Sequence, residues 1–280
     1  MKKSLIALAV AGAVSVPAFA DVSGFGSMGL KATDDGTTSD TQIVGIFGLA
    51  TSGETQTDGG STVYGNLSLT SSNGEMHGRT GADFSVTGAV VGIKGDFGNI
   101  FLGNGGSGVH YAQLAGDRFD VSDSDRTKNS IGYDNTFGNI SFRVTSDPSE
   151  SNGETVIGAG EGTTSIGMQG VFGGVTVGVG QEEDDTTVGA AMSFGDVGLA
   201  LHTTSWDVAD DSSLAIKVSY SAGAVSAYFM TETMDDADVT RSQLQVGYSL
   251  GGGASVTFRS RMDDATEANE YTRILLGMSF

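Results

Sequence analysis

The side chains in this sequence whose types and spacing could do chemistry are fixed charges rather than nucleophiles. Arg259 and Arg261 stand two apart and alternate with Val256, Phe258 and Met262. Arg241, Gln243, Gln245 and Ser249 alternate with Leu244, Val246, Tyr248 and Leu250 in the same way. Lys217 lies with Ala215 and Ser219 opposite Leu214, Ile216, Val218 and Tyr220. A spacing of two places each set on one face of a β-strand, with the apolar set on the other. Covalent chemistry has weaker support. His77, His110 and His202 are scattered without metal-ligand spacing, and no GxSxG elbow is present. Gly103, Gly105 and Gly108 satisfy GxGxxG, but no helix or βαβ unit follows to cradle a phosphate. DVSDSDR at 120–126 lacks the glycine and distal glutamate of a calcium-binding loop. His202 therefore reads as a polar residue on an inward strand face.

The elements that must position these charges are strands, and the punctuation between them comes in two kinds that take turns. One kind is short and glycine-rich: GDFGN at 95–99, NTFGN at 135–139, FGG at 172–174, GD at 195–196, SAGA at 221–224 and LGGG at 250–253. The other is longer and acidic: Asp34, Asp35 and Asp40, then 104–126, 147–161, 182–185, 207–211, 235–238 and 263–270. Short turns at one end and long loops at the other are the asymmetry expected of an outer-membrane barrel. On that rule strands fall near 22–31, 41–52, 61–71, 85–95, 99–103, 127–134, 139–146 and 162–171. The second half adds 174–182, 186–194, 197–206, 213–221, 224–233, 240–250, 254–262 and 270–280. The count is sixteen, with fourteen or eighteen as alternatives because the turn signals between Thr51 and Ser85 are diffuse. The expected fold is all-β, a transmembrane antiparallel up-and-down barrel. An open sheet would leave unpaired backbone groups in lipid at several kcal/mol each, so the sheet must close.

Both ends of the chain agree with this. Residues 1–20 read as a secretory leader: Lys2 and Lys3, an apolar stretch from Leu5 to Val16, and Ala18-Phe19-Ala20 before Asp21. The barrel domain is then 21–280. Ile274, Leu276, Met278 and Phe280 alternate up to the C-terminus, as a lipid-facing closing strand should. Phe97, Phe137, Phe172 and Phe280 are placed for an aromatic girdle at the short-turn rim. Without Lys2 and Lys3, 12 basic side chains face 34 acidic ones, a formal charge of −22, which argues against nucleic acid as a partner. Cysteine is absent, so neither disulfides nor thiolate metal sites are available.

VGIKGDFGNIFLGN at 91–104 resembles the strand-turn-strand before the constriction loop of Gram-negative general-diffusion porins. KNSIGYDNTFGNISF at 128–142 resembles the strand pair after that loop, and YSLGGGASV at 248–256 with the terminal Phe280 resembles the closing strands. The resemblance implies a sixteen-stranded barrel, usually a homotrimer, with its third loop folded into the lumen. It implies a water-filled channel for passive diffusion of small hydrophilic solutes and ions, and no enzyme activity.

Under that resemblance the long connection from Gly105 to Asp125, which carries Tyr111, Leu114 and Phe119, brings Asp117, Asp120, Asp123 and Asp125 toward the centre of the pore. Lys94, Lys128, Arg143, Lys217, Arg241, Arg259, Arg261 and Arg273 would line the facing wall. Opposite charges across a narrow aqueous gap set up a transverse field that favours polar solutes. The external acids lie beyond a Debye length of ~8 Å from a mid-barrel constriction, so they are expected to add only weak cation selectivity. They could also hold Ca²⁺ or Mg²⁺ against outer-membrane lipid and lipopolysaccharide headgroups; no other cofactor is expected. Two alternatives belong to other classes: an outer-membrane barrel protease or phospholipase using His110 or His202, and a secreted Gly/Asp-rich structural β-protein. The nonapeptide calcium repeat of the latter is absent.

Overall fold

Period-two alternation gives a sheet one apolar and one polar face, and the computed structural model closes that sheet on itself. It describes residues 19–34, 39–72, 84–116, 130–146, 150–151, 154–155, 163–206, 211–235, 238–264 and 270–280. The strands are β1 (Phe19–Asp34), β2 (Ser39–Gln56), β3 (Thr62–Ser72), β4 (Phe84–Gly95), β5 (Gly98–Gly103), β6 (Ser130–Phe137) and β7 (Ile140–Ser146). A two-residue ribbon, β8 (Glu150–Ser151) and β9 (Glu154–Thr155), stands apart from the barrel. There follow β10 (Thr164–Phe172), β11 (Val175–Glu182), β12 (Asp185–Phe194), β13 (Val197–Trp206), β14 (Asp211–Ala222) and β15 (Val225–Met234). The last three are β16 (Val239–Gly251), β17 (Ala254–Asp263) and β18 (Tyr271–Ser279). Sixteen of these pair antiparallel in chain order, and β18 closes on β1.

The strand count and order agree with the alternation of turn types, and three details differ. β1 and β2 are 16 and 18 residues long, because the polar stretch Thr51 to Gln56 stays in the ladder instead of leaving it. It then turns at 57–61, where Thr57 Oγ1 accepts from Ser61 N at 3.1 Å. The expected acidic loop at 182–185 is a two-residue turn, with Glu183 at φ 53°. Of the expected leader, residues 1–18 lie outside the described residues, while Phe19 and Ala20 pair with Glu54 and Gly53.

The apolar face points outward around the whole circumference. Met28, Leu30, Ile43, Ile166, Leu244, Ile274, Leu276 and Met278 are all exposed, a continuous apolar belt that water would not tolerate on a soluble protein. Phe137, Phe172, Phe194, Tyr220, Tyr248 and Phe280 are exposed at the short-turn end of it. By register, every Lys and Arg among the described residues points inward.

Closure is completed by the last residue. Phe280 exchanges both backbone hydrogen bonds with Gly24, at 2.8 and 2.9 Å, and its ring covers Gly24 so closely that a Cβ there would meet it at 2.4 Å. Gly24→Val is therefore expected to lift the Phe280 ring off the seam between β1 and β18. The folded fraction, read as the band that shifts on boiling in a detergent gel, should fall below that of the parent chain; an equal fraction would show that the seam does not need this contact.

Candidate functional site

After β5 the chain turns inside the barrel. Gly103, at φ 108°, makes the bend, and Asn104 N donates to Ala89 O at 2.7 Å. Phe101 points into the lumen and is buried at the base of the loop. Arg143, on β7, holds that base: its guanidinium lies 5.4 Å from the Phe101 ring and 5.2 Å from the Tyr111 ring. Arg143 Nη1 donates to Gly105 O at 2.8 Å, and Nη2 pairs with Asp134 at 3.3 Å. Burial raises the Tyr111 phenol above its ordinary value against the opposing pull of Arg143, so the ring remains neutral. Ser107 caps the single 3-10 turn Gly108–Tyr111. Its Oγ donates to Glu182 Oε2 at 2.5 Å and lies 2.6 Å from Ser165 Oγ, which itself accepts from Val109 N at 3.0 Å.

The loop then runs along the inner wall on a track of glycines. A Cβ at Gly167 on β10 would fall 1.7 Å from Gly108 O, and one at Gly178 on β11 would fall 2.0 Å from Tyr111 O. A Cβ at Gly180 would reach Val109 Cα at 2.7 Å, and one at Gly189 on β12 would reach Ala112 O at 2.0 Å. The loop backbone thus occupies the layer where inward side chains would stand. Beyond the track, Ala115 is buried against Ala215 on β14 and Met230 on β15. Residues 104–116 therefore cross the lumen face from β7 to β15.

Across from the track in barrel order lie β18 and β1, and with the neighbouring β17 they carry a row of basic residues. Lys31 on β1, Arg273 on β18 and Arg259 on β17 form one in-register row, which Gln245 on β16 and Tyr228 on β15 continue. Arg259 Nε donates to Gln245 Oε1 at 2.8 Å, and its Nη2 donates to the same oxygen. The Arg273 guanidinium lies 5.1 Å from the Tyr271 ring and the Lys31 ammonium 5.2 Å from it. Nearer the loop end, Asp263 is fully buried between Arg241 Nε at 3.1 Å and Arg261 Nη2 at 3.3 Å.

The profile of the Gram-negative porin family matches residues 7–267. The chain belongs to that family. Among solved structures, a three-residue mutant of Rhodopseudomonas blastica porin superimposes with a TM-score of 0.73 at 17% identity, over 94% of this chain and 100% of that one. Another triple mutant of the same porin gives 0.72 at 15% identity, over 94% and 100%. A structure described as showing asymmetric conductivity of engineered proteins gives 0.72 at 16%, over 93% and 100%. Comparison with curated proteins yields no match.

In this porin the residues singled out from sequence separate by position. Arg259 and Arg273 sit in the central row, and Lys217 lies one step along, its ammonium 5.1 Å from the Tyr228 ring. Arg241 and Arg261 share Asp263 instead of standing as two free positive charges. Lys94 is at the short-turn end, paired with Glu54 at 3.0 Å, too low in the barrel for the loop level. Arg143 is on the loop-bearing wall, where it fastens the loop and does not oppose it. Lys128, Asp117, Asp120, Asp123 and Asp125 lie outside the described residues. Sequence reasoning missed Lys31, Asp263 as a counter-charge, the Ser107–Ser165–Glu182 fastening and the glycine track. The track had a usable signal: four glycines of inward parity on three consecutive strands.

Proposed function

We propose that this outer-membrane porin is a passive, general channel for small hydrophilic solutes and ions, exported by the leader at 1–20 and assembled as a homotrimer. The observation that carries the reading is the third loop: 104–116 lies against one inner wall, across from the row Lys31, Arg273 and Arg259. Asp117, Asp120, Asp123 and Asp125 follow directly in the chain, so the reading sets their charge against that row across the aqueous gap. The resulting transverse field orders the dipoles of polar solutes and disfavours apolar ones. Acidic external connections add a weak preference for cations at the mouth and offer oxygen ligands for Ca²⁺ or Mg²⁺ between the barrel and lipopolysaccharide. Among the described residues no group of three or more His, Cys, Asp or Glu side chains converges on a metal position.

Reconstitution of the folded barrel in a planar bilayer tests this directly: stepwise, ohmic conductance is expected, and its absence from pure folded protein ends the proposal. Replacing Arg259, Arg261 and Arg273 together with glutamine is expected to move the reversal potential in a KCl gradient toward cations. Most of that shift should come from Arg259 and Arg273, because Arg261 already shares Asp263. An unchanged potential removes these residues from the conducting path.

A further inference from the structure

Phe25, Tyr64, Phe101, Tyr228 and Tyr271 face the lumen by register. All of these rings except Phe25 are met by a cation from the wall. Lys94 lies 5.6 Å from the Tyr64 ring, Arg143 5.4 Å from Phe101 and Lys217 5.1 Å from Tyr228. Tyr271 has both Lys31 and Arg273, at 5.2 and 5.1 Å. Among the described residues Phe25 has no such partner, and it alone of this set is exposed, at 45%. Its ring lies over Gly48, the facing position on β2, so closely that a Cβ there would meet three ring carbons at 2.2 to 3.0 Å. One face of the ring is thus seated on the wall, and the other is open to the lumen. Among the described residues beside it none is basic: Ser279 faces it on β18, and Ser23 and Ser27 flank it on its own strand. Lys31, the next base along that face, already lies against Tyr271. Toward the short-turn mouth the same face carries Asp21, and the turns at that end expose Asp58, Asp96 and Asp196. An acidic mouth raises the local concentration of cations, and an aromatic face attracts them through its quadrupole.

We propose that the open face of Phe25 is a binding subsite for an organic cation, a quaternary or alkylammonium group carried by a permeating solute. The other rings show what completes an aromatic face in this lumen, and at Phe25 the solute supplies the ammonium. The C–H face of a sugar also suits an aromatic ring, but every occupied ring of the set is met by a cation, which favours the ammonium. The seat on Gly48 fixes the Phe25 ring before the solute arrives, so little side-chain freedom is lost on binding. The subsite rests on the channel reading and adds a solute class to it: ammonium-bearing solutes dwell near the short-turn mouth while neutral and anionic ones pass.

Two measurements on the full folded barrel separate the two claims. In a bilayer at constant ionic strength, replacing potassium by tetramethylammonium is expected to lower the open-channel current in a saturable way. In Phe25→Leu the concentration for half-block should rise about threefold, and Phe137→Leu, at the same end but facing outward, should leave it unchanged. Phe25→Trp keeps a ring at the position and should block at a lower concentration than the parent, which guards against a leucine variant that fails to fold. Saturation-transfer NMR of tetramethylammonium with the detergent-solubilised barrel reads binding without conduction. A methyl signal that is lost in Phe25→Leu supports the subsite. Conductance with a block and a signal identical in the parent, Phe25→Leu and Phe25→Trp overturns it. A Phe25-dependent signal from maltotriose with none from tetramethylammonium overturns it too, and makes the ring a sugar platform. Phe25-dependent binding of tetramethylammonium without any conductance overturns the channel reading and leaves the subsite standing.

Discussion

Replacing Asp263 with alanine is expected to destabilise the folded barrel by about 3 kcal/mol and to move the reversal potential toward anions. The carboxylate is fully buried and is shared by Arg241 at 3.1 Å and Arg261 at 3.3 Å. Its loss deprives both of their common counter-charge, and removing one partner of a buried ion pair costs more than the pair was worth. The two guanidiniums are partly exposed to the lumen, which places the figure at the lower end of the usual range for buried pairs. Both cations then add to the row of Lys31, Arg259 and Arg273. Asp263→Asn keeps the shape and loses the charge, so it should show the same change in ion preference with a smaller loss of stability. The temperature at which the compact gel band is lost reads the first effect, and the zero-current potential across a KCl gradient reads the second. A stable variant with unaltered selectivity would place this cluster off the conducting path.

The second large effect is expected at the glycine track. Valines at Gly178 and Gly189 would leave the barrel closed, because β-branched residues suit strands and the positions face the lumen. Their Cβ atoms, however, would stand 2.0 Å from Tyr111 O and from Ala112 O. Both obstacles are backbone, so neither can swing aside, and the loop must move more than an ångström toward the barrel axis to regain van der Waals distance. With the opposite wall held by its ladder, single-channel conductance should fall to on the order of half that of the parent. The heat-modifiable band should persist. Unchanged conductance from a folded double variant would mean that 111–112 does not set the width of the pore.

Much of this architecture is written locally. In β14, β16, β17 and β18 each strand alternates within itself, and the pairing partner is the next strand along, so parity and turn type alone assign Lys217, Arg241, Arg259, Arg261 and Arg273 to one face. The alternation of short and long connections yields sixteen strands for the same reason: each hairpin is a short-range event. What local pattern could not carry is whatever depends on residues far apart in the chain. Lys31 joins Arg273 only because closure brings the first strand beside the last, some 240 positions away. Arg143 looks like another lumen cation until the loop folds back over it and takes its donors.

The sequence by itself therefore determined a barrel, its strand number and the inward parity of its charges, since these follow from a period of two and from neighbouring turns. Only the tertiary structure decided which of those charges are neutralised, where the third loop lies and which glycines make room for it. Those depend on distance across a closed cylinder, which no spacing along the chain records.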